Sequence, residues 1–432
     1  MLANGQYEGG ENFDPREVFL MGRGVSFKER VELFSRLLGE QFGDYQSLYM
    51  RLVTSPAGRE VEVIDSATGK TRKMLMFGSN NYLGLADHPY VVERVHNAIR
   101  EYGVGLSGPP LLNGYTRLHR ELEERLSALK HAEETLIFST GYSANVGLIT
   151  GLTSRNDVVI YDRHSHASLR DGLKMNAARV VPCRHNDLED LRRALEAPRR
   201  ALSGDAFVCV EGVYSMDGDL APLDAIVPLC KQHGATLIVD DAHGTGVMGE
   251  SGSGTAQHFG VDGAVDITMG TFSKALGVVG GFVSASKPVI NYLRLFARSY
   301  VFSASLPPVV VAAVLAGLDV IEREPWLRRQ LHENVEYVTE GLQRLGFEVE
   351  PPAAIIALRV PASMDIRKAA RRFNQAGIFV NCVEYPAVPI GEQRFRISMM
   401  ATHTKEDMDR LLECTAEIWS DADAPAVVAR QD

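Results

Sequence analysis

The sequence predicts an α/β fold, and three observations carry that prediction. Between residues 61 and 300, short runs rich in β-branched residues alternate with helix-spaced segments. Several of these runs are continuously apolar, as strands covered on both faces must be. Polar residues gather directly after the runs, where ligands collect at the carboxyl ends of strands in such sheets.

Taken in order, residues 1–60 read as an N-terminal extension. The first dozen are Gly- and Asn-rich and predicted loose, whereas "SFKERVELFSRLLGEQFGDYQSLYMRL" from Ser26 has the apolar spacing of a helix. Residues 61–300 form the large unit, with "DVVIYD", "ARVVPC", "DAFVCVEG", "ATLIVDDAH", "DITMGT" and "GGFVSA" as its candidate strands. From 301 to 432 the pattern changes to a helical region reaching about Leu345, then "AAIIALRV", the helix-like "DIRKAARRFNQAG", "IFVNCVEYP", "RFRISMMA" and a last helix. This reads as a smaller α+β domain. Thr404 with Asp407 three residues on forms a capping-box start to that helix, and "DADAPAVVARQD" reads as a frayed tail.

Composition narrows the partners. The 432 residues carry 45 Lys and Arg against 55 Asp and Glu, a formal net charge of −10. Nucleic acid and anionic membranes reward clustered cations, so a small-molecule partner is expected instead. The five cysteines are scattered, odd in number and lack metal-ligand spacing, so they read as reduced, mostly buried thiols and no metal is expected. The start of the chain lacks the basic and apolar run of a signal peptide, and the stretch from Leu306 is too short to span a bilayer. A cytoplasmic protein without an integral membrane segment is the expectation.

Four motifs carry chemistry. "TLIVDDAHGTG" puts Asp240, Asp241 and His243 at the end of a buried strand. An aspartate facing the nitrogen of a heteroaromatic ring would keep that nitrogen protonated, although either carboxylate could equally serve as a helix cap or a loop ion pair. "FSTGYSANVGLI" passes through Gly141 into a helix-like segment, so free N–H groups and the hydroxyls of Ser139 and Thr140 could cradle a phosphate. "YDRHSHASLRDG" offers a histidine that could stack on a flat ring. "DITMGTFSKALGVVGG" sets Lys274 among small residues, with Thr271 three positions earlier. A lysine in such a setting suits amine chemistry, and condensation with an aldehyde implies pyridoxal 5′-phosphate, which needs an amine, a phosphate cup, an acid and a flat partner.

With those residues in hand, the sequence resembles the α-oxoamine synthases, a fold-type-I, pyridoxal-phosphate-dependent family. The likeness runs from about Phe77 to Leu412 through "FGSNNYLGLADHP", "YGVGLSGPPLLNGYTRLHRELEERL", "STGYSANVGLI", "SHASL", "EGVYSMDGD", "VDDAHGTGVMGESGSG", "TFSKALG", "FSASLPP" and "RFRISMMATHT". It implies an aspartate-aminotransferase-like fold, with a large, mostly parallel seven-stranded sheet domain and a smaller α+β C-terminal domain. It further implies that Lys274 is the Schiff-base lysine, Asp240 the pyridinium partner and His166 the ring-stacking residue. Ser215 and His243 match partners of the cofactor's phenolic oxygen. Thr140 stands in the phosphate loop, where Gly141 and Tyr142 match the phosphate-binding pair. Thr271 matches a further phosphate contact, and Ser303 one supplied by the neighbouring subunit of a homodimer with shared sites. Arg396 matches the clamp for the amino-acid carboxylate, and Asn80 a residue near it from the partner chain.

In the implied reaction, a small amino acid displaces Lys274, gives up its α-proton to the freed amine and attacks an acyl thioester; loss of CO₂ leaves an aminoketone. Where the family commonly has G-G-[ST]-R, this chain has "SGPP", with Pro109 and Pro110 on the acyl side. That departure, the "VEYPAVPIGEQRFR" segment and the N-terminal extension favour a lipid or specialised-metabolite synthase, a serine-palmitoyltransferase-like activity among them, with the acyl group on CoA or a carrier protein. The rival readings are an 8-amino-7-oxononanoate synthase, a 2-amino-3-ketobutyrate CoA ligase and a non-catalytic partner subunit.

Overall fold

The run "AFVCVE" is buried at every position, and so, with one exception each, are "VVIYD", "ATLIVD" and "ITMGT". Such runs need cover on both faces, which only an interior sheet flanked by helices supplies. In the computed structural model, which describes residues 26–41, 48–66, 68–197, 204–361, 363–385 and 387–420, they build a seven-stranded sheet. Strands β1 (Leu52–Val53), β2 (Glu60–Ile64) and β3 (Thr71–Met76) precede it in the chain. The large sheet comprises β4 (Glu134–Phe138), β5 (Val158–Asp162), β6 (Arg179–Cys183), β7 (Ala206–Glu211), β8 (Ala235–Asp240), β9 (Ile267–Thr271) and β10 (Gly281–Ala285). Its order is β4-β10-β9-β8-β7-β5-β6, parallel throughout except for β10, which runs against both β9 and β4.

All six candidate strands are present, and the sheet is completed by β4, "ETLIF", which enters the phosphate-loop motif. The helix after it, Gly141–Leu152, is apolar nearly all round and is packed between the sheet and the helices Ala167–Lys174 and Lys287–Phe296. The long apolar run after Leu306 becomes the helix Pro308–Arg323, started by prolines whose missing N–H is no loss in a first turn. No helix among the described residues is long and apolar enough to cross a membrane.

The C-terminal region holds β11 (Ile355–Arg359), β12 (Ile378–Phe379), β13 (Asn381–Val383) and β14 (Arg394–Ser398). Strands β11, β14 and β13 form an antiparallel sheet, and β12 pairs in parallel with β3 to complete a four-stranded sheet with β1 and β2. Strand β3, which the sequence pattern places in the large unit, therefore pairs with a strand of the C-terminal region and brings β2 with it. Alternation explains this: "EVEVI" is exposed-buried-exposed-buried, a one-sided pattern that the two-sided large sheet does not accept.

The predicted start of the last helix is present as written. Thr404 N–H donates to Asp407 Oδ2 (3.0 Å) while Asp407 N–H donates to Thr404 Oγ1 (3.3 Å), a reciprocal capping box. The helix Phe27–Gln41 begins in the same way, on Ser26 and Glu29. All five cysteines are unpaired and four are buried. The first dozen residues and the terminal "DADAPAVVARQD" lie outside the described residues.

Candidate active site

The carboxyl ends of β4, β5, β7, β8 and β9 share one edge, and the predicted residues collect there. Register places Glu211, last in β7, beside Asp240, last in β8. Both are buried, and burial raises both carboxyl pKa values; the Asp240 charge adds to the strong rise at Glu211, and the Asp241 charge adds to the rise at Asp240. The opposing pull on Asp240 comes from the Asn145 amide, which donates to Oδ2 at 2.7 Å, from the Ala242 N–H on Oδ1 at 3.1 Å and from His166. No basic side chain forms an ion pair with Asp240 among the described residues.

Lys274 follows β9 and is half-buried. Desolvation first, and then the Arg396 guanidinium, hold its amine down at about 8, with Asp240 and Glu211 pulling upward. His243, two residues past the acidic pair, is buried among Lys274, Arg396 and His166, so burial and those neighbours keep its imidazole neutral, far below the usual range. Its Nδ1 lies 2.7 Å from Tyr82 Oη.

His166 caps the helix Ala167–Lys174, with its Nδ1 2.7 Å from Ser168 Oγ. Asn145 also donates to Ser168 Oγ at 2.9 Å, so the chain His166–Ser168–Asn145–Asp240 locks the orientation of histidine and carboxylate together. The sequence reading missed Asn145, Ser168 and Glu211. A lone amide on an otherwise apolar helix and an acid closing a wholly apolar strand were the available signals.

Thr140 caps the helix Gly141–Leu152, its hydroxyl accepting from Ser143 N–H at 2.9 Å. A Cβ on Gly141 would sit 2.8 Å from Thr271 Oγ1, so only glycine lets this helix start close on the end of β9. Thr271 Oγ1 donates to Gly280 O (2.7 Å) and lies 2.9 Å from Ser273 Oγ. Tyr142 is more exposed, its hydroxyl donating to Asp171 at 2.7 Å. Ser303, expected from a neighbouring subunit, lies 3.2 Å from Ser139 Oγ of its own chain. The loop it occupies is tied back through Ser305 N–H to Gly108 O.

Arg396 is buried on β14. Its Nε donates to Ser215 O (2.6 Å), and its Nη1 donates to Asn80 Oδ1 and Ser398 Oγ, both at 3.0 Å. Nη2 has only a long contact to Tyr82 Oη, 3.4 Å, which leaves donor capacity on that nitrogen. Asn80, expected from the partner chain, therefore meets the guanidinium within one chain, because the turn after Gly78 carries it onto β14: Ser398 N–H donates to Phe77 O.

These residues fit pyridoxal 5′-phosphate. A half-buried amine, a buried carboxylate without a cationic partner, a glycine-floored helix start with hydroxyls around it and a histidine tied to that carboxylate are the donor set the cofactor requires.

The comparisons with known proteins agree. The model of the family described as aminotransferase class I and II matches residues 72–414. An 8-amino-7-oxononanoate synthase of Geotalea daltonii is 43% identical over 350 residues, 80% of this chain and 89% of that protein. A serine palmitoyltransferase of Bacteriovorax stolpii is 40% identical over 361 residues, covering 83% and 86% of the two chains. Among solved structures, the Sphingomonas wittichii serine palmitoyltransferase superposes with a TM-score of 0.84 at 34% identity, over 92% of this chain and 98% of its own.

Proposed function

This chain belongs to the α-oxoamine synthases, within the aminotransferase class I and II family, and from that premise we propose that it condenses glycine, L-alanine or L-serine with an acyl thioester, releasing CO₂ and an aminoketone. The cofactor is pyridoxal 5′-phosphate and the enzyme is an acyltransferase. The observation that carries the substrate reading is the meeting of a low-pKa amine, Lys274, with a buried guanidinium that keeps donor capacity, Arg396.

Bound pyridoxal phosphate supplies an aldehyde that takes up the amino group and a ring that holds the electron pair left at Cα. The chain's own residues do the rest. Thr140, Gly141, Tyr142, Thr271 and Ser303 would hold the phosphate, and His166 would lie against the ring. Asp240 would hold a proton on the ring nitrogen, and Ser215 and His243 would face the phenolic oxygen. Arg396 binds the amino-acid carboxylate through Nη2, which sets the orientation of the bonds at Cα, and Asn80 steadies the guanidinium. Lys274 Nζ, neutral in a large fraction of molecules near pH 8, takes the α-proton.

A lipid or specialised-metabolite product is favoured, with L-serine as the first amino acid to test. Support comes from the serine palmitoyltransferase likeness over nearly the whole of both chains and from Pro109–Pro110. The 43% identity to an 8-amino-7-oxononanoate synthase supports L-alanine as the second. The acyl group would arrive on CoA or a carrier protein. The active unit in this reading is a homodimer with shared sites. The loops joined by Ser305 and Gly108 expose Val104, Leu112 and Phe302 (77%, 82% and 74%), an apolar rim around the phosphate cup that a second copy would cover. Five unpaired cysteines suit a reducing cytoplasm.

Titrating the holoenzyme with each amino acid while recording its visible spectrum, and then following CO₂ release on adding acyl-CoA or acyl-carrier protein, tests the proposal. A spectral response without thioester-dependent CO₂ would replace condensation by another reaction of the same cofactor.

A further inference from the structure

The loop between β7 and the helix Leu223–Gln232 is gripped from both domains, and nothing in the mechanism above uses the grip. From the C-terminal domain, Arg394 and Arg396 stand two residues apart on β14 and so project to the same side. Arg396 Nε donates to Ser215 O at 2.6 Å; Arg394 Nη1 donates to Met216 O at 3.2 Å and to Asp217 Oδ1 at 2.5 Å. Arg394 is only 1% exposed, the bulkiest of the fully buried side chains. Its remaining donors go to its own turn, Nε to Glu392 O (3.0 Å) and Nη2 to Glu392 Oε2 (3.1 Å).

From the large domain, the far end of the same loop is anchored by Asp219, whose Oδ2 lies 2.8 Å from His185 Nε2 and 2.9 Å from Asn186 Nδ2. The second oxygen of Asp217 faces His164 Nδ1 at 3.0 Å. Gly218 completes the arrangement: its φ is +79°, and a Cβ there would run into the carbonyl oxygen of Ile355 on β11. The loop therefore lies against the backbone of the small domain with no room to slide.

We propose that Arg394 and Asp217 are positioning residues for the amino-acid site: the ion pair between buried Arg394 and half-buried Asp217 fixes Ser215 against β14, and with it the direction in which the Arg396 guanidinium presents Nη2 to a substrate carboxylate. Neither residue touches substrate or cofactor. The pair acts through the Ser215 carbonyl, which accepts the hydrogen bond from Arg396 Nε–H and so sets the plane of the guanidinium fork. His164, Asp217 and His185 lie close enough together to be considered as metal ligands, yet the two imidazoles stack with centroids 3.9 Å apart and planes 11° from parallel. Three of their four nitrogens already face Asp217, Asp162 and Asp219, so the cluster reads as the loop's anchor.

The inference rests on Arg396 as the carboxylate clamp. The holoenzyme is titrated with glycine, L-alanine and L-serine by visible spectrum, as wild type, Asp217→Asn, Asp217→Glu and Arg394→Lys. Asp217→Asn is expected to raise the Kd and KM of the responsive amino acid about tenfold, with kcat changed less than threefold and the acyl-thioester KM unchanged. Asp217→Glu restores the Kd to within about threefold of wild type. An amino-acid Kd within twofold of wild type in Asp217→Asn overturns the proposal, as does a parallel rise in both substrates' KM. If Asp217→Asn fails to accumulate folded, Arg394→Lys decides: a Kd raised at least fivefold supports the positioning role, and an unchanged Kd removes it. A wild type that answers to no amino acid would remove the clamp itself, an outcome distinct from variants that bind as the wild type does.

Discussion

Lys130 Nζ lies 2.7 Å from Asp241 Oδ2, and both side chains are only 3% exposed. This pair assigns the two adjacent aspartates of "VDDAH". Asp241 is consumed by structure: beyond Lys130, its Oδ1 accepts from Thr255 N–H (3.1 Å) and Oγ1 (2.6 Å). Asp240 is turned instead towards Asn145 and the Ala242 N–H. Removing the cation would strand a carboxylate in the interior, so Lys130→Met is expected to cost about 3–5 kcal/mol of stability, read as a large fall in the denaturation midpoint.

Lys274→Ala should abolish the amino-acid-dependent spectral change and lower condensation by about 10³-fold or more, since it removes both the amine that meets the aldehyde and the base for the α-proton. The measurement is thioester-dependent CO₂ release. Activity within tenfold of wild type would move the base elsewhere.

The pH dependence follows from the same amine. Lys274 is a free amine only after the amino acid has displaced it, and with that amine held at about 8 by burial and Arg396 the substrate complex gains its neutral base as pH rises through that value. The kcat should therefore climb about tenfold per unit below pH 8 and level off above it. A flat profile from pH 6.5 to 9 would contradict this assignment.

Gly141→Ala places a methyl 2.8 Å from Thr271 Oγ1 and wedges the helix start away from β9. Cofactor affinity should fall at least tenfold, measured by retention of pyridoxal phosphate through dialysis, with the far-UV circular dichroism unchanged.

His185, held between Asp162 and Asp219, is pushed up to about 10, the hydrogen bonds of the two carboxylates outweighing burial. A base with a raised folded-state value stabilises fully below its unfolded value, near 6.5, and the contribution is lost as pH rises towards 10. Wild type should lose on the order of 2–4 kcal/mol over that window relative to His185→Gln, seen as melting curves that converge at high pH.

Most of the site was legible because its residues follow strands whose apolar runs mark their own ends. Asp240, Thr271 and Lys274 could be placed at a sheet edge from pattern alone. Asn145, Tyr82 and Arg394 were not legible in this way. Their roles arise from contacts across 95, 161 and 177 residues, to Asp240, His243 and Asp217. Ser303 and Asn80 likewise meet Ser139 and Arg396 of their own chain only through contacts across 164 and 316 residues. The four-stranded sheet escaped notice because β12 is two residues long, too short for any periodicity to show.

The parallel pairing of β3 with β12 joins Leu75 and Met76 to Ile378 and Phe379. On a translating ribosome, at roughly 5–20 residues per second, the earlier strand waits about 15–60 s for its mate to be made. During that interval the apolar side of "TRKMLM" and its unpaired edge are open to neighbouring nascent chains. The large domain can form meanwhile, but this sheet closes only near the end of synthesis. Yield during overexpression should therefore depend on chaperone supply and on slow growth at low temperature more than on the stability of the finished enzyme.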